Sequence, residues 1–532
     1  TFQEFFVAAG LHAKEDFESV ARQHLFDPRW EEVIRLGVGY LALVQKRPMA
    51  AQRFVKRVLE HEEPEPRAWF TKLLKKQVPL AALLAAEAGD ALPEALQQRV
   101  AGEMAAWVAV MPHELVGPVL KELALTDFAP RIAMACEPRI RSGIAEARAR
   151  VASALGDLRV AGVEETLVGA LSDESTAVGK AAALALHNFL SKELLQKIEP
   201  RLLDLRPEVR VAAIKALSPR AMDVSENLLQ NLLQDPNESV RAAATRALIH
   251  LPHPDASKAA SILQQNKSSE VHRALSEVFV YFVDTEWLKA LISNEQAELR
   301  LYTAVATSTS TKPLGNVFDA PNDALVSLAG KFITPKWHST KERIAALRSQ
   351  DEHVRVGAAY WLNGVEAALE PLMALTSDAS GLVRSNAIKA LGRMSAERAI
   401  EACDEALRDT DTRVKFTAAV ALARHKRDDA LGPLLDGFFH DASTRAEAAS
   451  ALGQLGAKEA LEPLMAAAQD PQEKQLKAIC SAIGQLASSN EVDRLATYLE
   501  GHEQPSAYSD HIFTSLWTIA TREARRTPEP TG

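Results

Sequence analysis

Two sets of residues in this chain could do chemistry: histidines beside acids, and acids and arginines that return at a fixed interval. His61-Glu62, His113-Glu114 and His502-Glu503 are pairs of the kind that hold metal when facing helices present them together. A dinuclear site would need four symmetric pairs, and these keep no common period, so none is expected. His250 and His253 stand three residues apart, but Pro252 and Pro254 imply a turn there and no third ligand is evident. Gly179-Lys180 and Gly330-Lys331 could end a phosphate loop. The upstream glycine is replaced by Glu174 or Leu325, however, and Ala181 or Phe332 follows where Ser or Thr is required. No catalytic residue, cofactor or metal is expected from this set.

The second set is ordered. Asp173, Asp204, Asp235, Asp378 and Asp409 each stand five residues before an apolar anchor, and Arg148, Arg210, Arg241, Arg355 and Arg384 each follow one. A carboxylate at that place can cap the next helix, where free N–H groups and the helix dipole favour an anion. Acids and arginines repeated at fixed offsets can also staple one repeat to the next by charge-assisted hydrogen bonds. A row of arginines for binding anions is the functional alternative. The expectation is a structural staple built from these aspartates with Arg210, Arg241 and Arg384.

The elements that must position these residues follow from the anchors. They are Ala147, Val178, Val209, Val240, Val271, Leu299, Val354, Val383, Val414, Thr444 and Gln475, separated by 31, 31, 31, 31, 28, 55, 29, 31, 30 and 31 residues. From Val383 the apolar positions run Ala387, Ala390, Leu391, one face of a helix, and Val178, Val209, Val240 and Val414 repeat the pattern. A second helix precedes each acid, as in Leu369-Glu370-Pro371-Leu372, with proline tolerated in its first turn. A period near 31 with helical content predicts an all-α fold, an α-solenoid whose units bury a core only by stacking. The Asp-x-x-x-x-Val-Arg-x-x-Ala-x-x-Ala-Leu unit resembles the HEAT repeat, in the short HEAT-like form of phycobilisome lyases, over roughly residues 130 to 500. That resemblance implies that the Val-Arg helices line a concave surface.

Residues opposite the core face are the candidates for a partner there: Lys215, Arg246 and Lys389 at one offset, His250, Arg393 and Arg424 at another. The 55-residue step holds an irregular insert, residues 301–345, with Thr307-Ser308-Thr309-Ser310-Thr311, a helix from Asp323 to Phe332, and Trp337 as a further candidate contact. Insertions in solenoids map to loops, often on a binding face.

Composition narrows the function. The net charge of −9 argues against wrapping nucleic acid, and the three cysteines, Cys136, Cys403 and Cys480, lack Cys-x-x-Cys spacing and read as buried thiols of a cytoplasmic protein. There is no 18-residue apolar run, so no membrane span is expected. The sequence starts Thr1-Phe2-Gln3 without an initiator Met and is expected to begin mid-protein.

The first 125 residues are helical but outside the period. Thr1 to Ala9 reads as a helix with an aromatic face, and Trp30 to Leu36 opens another after Asp27-Pro28. Their order resembles the end of the nucleotide-binding module of NACHT-type STAND proteins, followed by a helical connector. The resemblance implies that the solenoid, residues 126–300 and 346–500, is the ligand-sensing and autoinhibitory arm of a signalling NTPase in bacterial immunity. A trigger or protein partner would then release the module to homo-oligomerise, and residues 501–532 would form a C-terminal cap and tail. Two alternatives stay open: a freestanding HEAT-repeat scaffold, and a bilin-lyase-like enzyme.

Overall fold

Alanine and glycine set how closely the helices of this α-solenoid stack. The computed structural model describes residues 2–13, 17–64, 67–189, 191–217, 231–249, 339–350, 352–470, 475–499 and 506–525, all of them helix, turn or loop. The chain divides into two units, Thr1–Val278 with Ser488–Gly532, and Phe279–Ala487. In the first, the anchor helices Ala145–Leu158, Thr176–Leu186, Pro207–Leu217 and Glu238–Ile249 pack one on the next. In the second, Glu352–Trp361, Gly381–Leu391, Thr412–Arg424, Arg445–Leu455 and Leu476–Leu486 do the same. Among the described residues, shorter helices pack on these anchor helices, as Glu397–Ala406 packs on Thr412–Arg424.

Val383, Ala387, Ala390 and Leu391 are wholly buried, and their counterparts from Val178, Val209 and Val414 are buried too. Each buried Val or Leu contributes about 1.5–3 kcal/mol, whereas the alanines add little area but let backbones approach. The approach is close where a glycine stands in, or just past, the last turn of an anchor helix. A Cβ on Gly392 would stand 2.2 Å from Ala421 Cβ, and one on Gly156 2.6 Å from Ala185 Cβ. Gly453 repeats the relation, with its Cβ position 3.0 Å from Ala482 Cα.

The N-terminal segment of the first unit contains Phe2–Ala13, Phe17–Gln23, Glu31–Gly39 running into a π-helical turn Tyr40–Val44, Pro48–Leu59, Gln77–Ala88 and Glu94–Val110. The first helix buries Ala8, while Phe5, Phe6 and Val7 are exposed. Leu43, Val44 and Met49 are exposed as well, and the Phe5 ring lies 5.9 Å from that of Tyr40, so this apolar surface spans several elements.

Helix Ala507–Arg525 belongs to the same unit and packs on this segment. Trp517 lies 6.1 Å from Trp107, whose indole N–H donates to the Leu74 carbonyl at 3.0 Å. Lys76, 8% exposed, places Nζ 4.8 Å from the Trp517 ring and 5.4 Å from that of Phe70. Burial lowers its pKa to about 8, against the upward pull of Glu31 and Glu63. Arg150 pairs with Asp510, and Arg29 donates to the Arg525 carbonyl at 2.9 Å.

Candidate functional site

The N-terminal ends of the anchor helices are joined by an arginine–aspartate ladder. Arg384 donates from Nε and Nη2 to Asp409 of the following repeat, both at 2.8 Å. Its Nη1 donates to the Asp378 and Ala379 carbonyls at 2.8 and 3.2 Å, so the fork is occupied within the fold. Arg355 grips Asp378 at 2.8 and 3.0 Å, Arg210 grips Asp235 at 2.9 and 2.8 Å, and Arg148 grips Asp173 at 3.0 and 2.9 Å. Arg241 donates to the Asp235 and Pro236 carbonyls at 2.8 and 3.1 Å.

Two sequence expectations change at this ladder. The aspartates do not cap the following helix: Asp378 accepts from Ser380 N at 2.9 Å and Asp409 from Asp411 N at 2.8 Å, a local turn two residues long. The caps are those next residues, whose side chains accept from Val383 N and Arg413 N. An aspartate five residues before the anchor lies too far upstream to cap, and instead shapes the turn that delivers the capping residue. Asp204 also holds no arginine of the preceding repeat, because Gly179 occupies that position; it accepts from Arg206 N at 2.9 Å.

Burial, the largest single influence, raises the pKa of Asp173 and Asp378, but the hydrogen bonds and charges of Arg148 and Arg355, together with the backbone N–H groups of Ser175 and Ser380, outweigh it and hold both below the usual aspartate value. For Asp409 the Arg384 hydrogen bond is the largest influence, in the same direction.

The C-terminal ends of the same helices form a second seam. His425 Nε2 lies 3.1 Å from the Gly392 carbonyl, Asn188 Nδ2 donates to the Gly156 carbonyl at 2.9 Å, and His187 Nε2 lies 2.7 Å from the Lys215 carbonyl. Asn188, which shares its repeat position with Arg393 and Arg424, is thereby engaged inside the fold.

Around this seam in the second unit stand Lys389, Arg393 and Arg424, all exposed. Arg393 follows Gly392 and Arg424 precedes His425, so one inter-repeat hydrogen bond brings the two arginines beside each other. Among the described residues neither has an ion pair or side-chain hydrogen bond. Arg424 is exposed by area yet partly desolvated by its neighbours; desolvation and then Arg393 push its pKa down, while Glu447 pulls it up.

The other candidates do not join this cluster. Lys215 is half-buried in the first unit, the Arg246 side chain is not described, and His250, Trp337 and residues 301–338 of the insert lie outside the described residues. His61 Nε2 lies 3.8 Å from Glu63 and His113 Nε2 3.5 Å from Asp157. Among the described residues no group of three His, Cys, Asp or Glu could hold a metal, and no helix is long and apolar enough to cross a membrane. Cys136, Cys403 and Cys480 are buried and form no disulfide, and burial raises the first two to about 12.

A family model for HEAT repeats matches residues 138–218, 197–279, 340–423, 369–442 and 433–505, more than half of the chain. No curated protein matches. Among solved structures, Kap121p bound to Pho4p aligns at 14% identity with a TM-score of 0.29, over 90% of this chain and 56% of that one. Kap121p alone gives 13% and 0.30 over 89% and 57%, so the chain spans about half the length of Kap121p. A chain of a homology model of the full-length AP-3 complex in an intermediate open conformation gives 13% and 0.30 over 76% and 85%.

Proposed function

Because the chain belongs to the HEAT-repeat family, we propose that it is a non-catalytic scaffold that engages a protein partner through Lys389, Arg393 and Arg424. One observation carries this reading. Arg148, Arg210, Arg355 and Arg384 each hold an aspartate, whereas among the described residues Arg393 and Arg424 stand side by side with no acid in ion-pair or hydrogen-bond contact, Glu447 acting on Arg424 only from further off. Two adjacent cations repel, and a fold gains nothing from that repulsion unless something anionic arrives. The face they occupy would be the concave one, and the three buried thiols suit a reducing, cytoplasmic setting.

The test is a photo-crosslinker placed at Lys389 in cells, with Lys389→Glu/Arg393→Glu as the comparison. A defined protein crosslinked at 389, whose measured affinity falls in the charge-reversed protein at unchanged melting temperature, supports the reading. A partner that binds the reversed protein as tightly would remove the strip from the site.

A second reading is favoured by the apolar surface of Phe5, Phe6, Val7, Leu43, Val44 and Met49, with Phe6 and Met49 each 65% exposed. Exposed patches of this kind mark contact with another folded surface. In that reading a NACHT-like nucleotide-binding module rests on this face, the solenoid senses a trigger, and release leads to homo-oligomerisation. Coexpressing such a module with the chain and with Phe6→Glu/Met49→Glu tests it. Equal copurification of both would dismiss it.

A further inference from the structure

The cationic cluster has a spacing as well as a charge. Lys389 lies in the last turn of helix Gly381–Leu391, Arg393 two residues beyond that helix, and Arg424 at the end of Thr412–Arg424. On the preceding helix, Glu352–Trp361, the position equivalent to Lys389 is Tyr360, which is 50% exposed. An aromatic side chain, then one pair of cations, then a third cation therefore sit on three successive packed helices. Packed helix axes lie about 8–10 Å apart. An extended chain advances about 3.3 Å per residue, so three residues carry it from one helix to the next.

We propose that this surface takes a short extended acidic peptide laid across the helix ends. One carboxylate lies on Lys389 and Arg393, a second three residues away on Arg424, and an apolar side chain three residues to the other side on Tyr360. This rests on the reading that the strip meets a protein partner, and it specifies the partner's chemistry: an apolar residue and two acids at three-residue intervals. Arginine's planar fork suits bidentate carboxylate recognition, and both arginines stand near helix C-termini, where the dipole favours cations. Glu447 beyond Arg424 ends the run, since a further anion there would meet a like charge. The whole chain carries −9, so a long polyanion would be repelled outside this cluster.

The test is fluorescence anisotropy of the full chain with a fluorescein-labelled peptide. It carries Leu, Glu and Glu at three-residue intervals in a Gly/Ser background, beside the same peptide with Gln for Glu. The Glu peptide is expected to bind more tightly and to weaken as salt rises. Arg393→Gln and Arg424→Gln should each cost about fivefold, while Arg408→Gln, an exposed arginine away from the cluster, should cost nothing. Equal binding of Glu and Gln peptides, no binding of either, or variants no different from Arg408→Gln would overturn the inference. If a protein partner is still lost on Lys389→Glu/Arg393→Glu while the peptides fail, the peptide chemistry falls and the strip reading stands. If neither responds, both fall.

Discussion

Arg384 holds Asp409 of the next repeat with two hydrogen bonds of 2.8 Å, while the same guanidinium holds two carbonyls of its own turn. One side chain thus fixes the entry of its own helix and the register of the following one. Solenoid repeats need such terms, because each contacts only its neighbours and stability accumulates interface by interface.

Breaking one rung should be costly and local. Arg384→Ala or Asp409→Ala should each lose about 1–3 kcal/mol in denaturant unfolding, since a partly buried charged partner is left without its hydrogen bonds. A double-mutant cycle should show coupling between them. Asp204→Ala should cost less than Asp235→Ala, because Gly179 supplies no arginine to Asp204.

The rungs also set acid sensitivity. The folded-state pKa values of Asp173, Asp378 and Asp409 lie below their unfolded ones, so the unfolded chain binds more protons as pH falls through the aspartate range. Their contribution is complete above the ordinary aspartate value and is lost on descending to the lowered ones. Unfolding midpoints from about pH 6 to about pH 2.5 should fall, and Asp409→Asn should flatten that fall.

Gly392→Ala should destabilise by about 1–3 kcal/mol, because its Cβ would land 2.2 Å from Ala421 Cβ. Adding Ala421→Gly should restore part of the loss. A loss unrelieved by that second change would mean helix-end conformation, rather than the close approach, fixes this glycine.

Lys76 should give a pH trend of the same sign in a higher window. Its pKa is lowered from 10.5 to about 8, so between those values the unfolded chain holds a proton that the folded one has released. Stability should therefore rise with pH across that window, and Lys76→Met should abolish the rise. Trp517→Ala, by admitting water to Lys76, should shrink it.

The ladder was legible because periodicity repeats its offsets: aspartate five before the anchor, arginine one after. Even its gap can be read, as Gly179 in the arginine column. The glycine–alanine approach was visible in the letters at 392 and 421, but only the stacking geometry says that one repeat's ninth position meets the next one's seventh. Asn188 shared an offset with Arg393 and Arg424, yet an amide can reach the Gly156 carbonyl and close a seam, so offset alone did not separate structural from free residues. The docking of Trp517 on Lys76 and Trp107 joins segments hundreds of residues apart and leaves no periodic trace. The aromatic face of the first helix was visible, but its exposure was not, because periodicity says which residues share a face and not what covers it.

The central division is between arginines that build the stack and arginines kept apart from it. It is tested most directly by comparing the unfolding midpoints of Arg384→Gln and Arg393→Gln/Arg424→Gln. The first should unfold well below the parent protein, and the second should match it or exceed it slightly through relief of repulsion. A double variant as unstable as Arg384→Gln would show that Arg393 and Arg424 are structural, and would contradict the account.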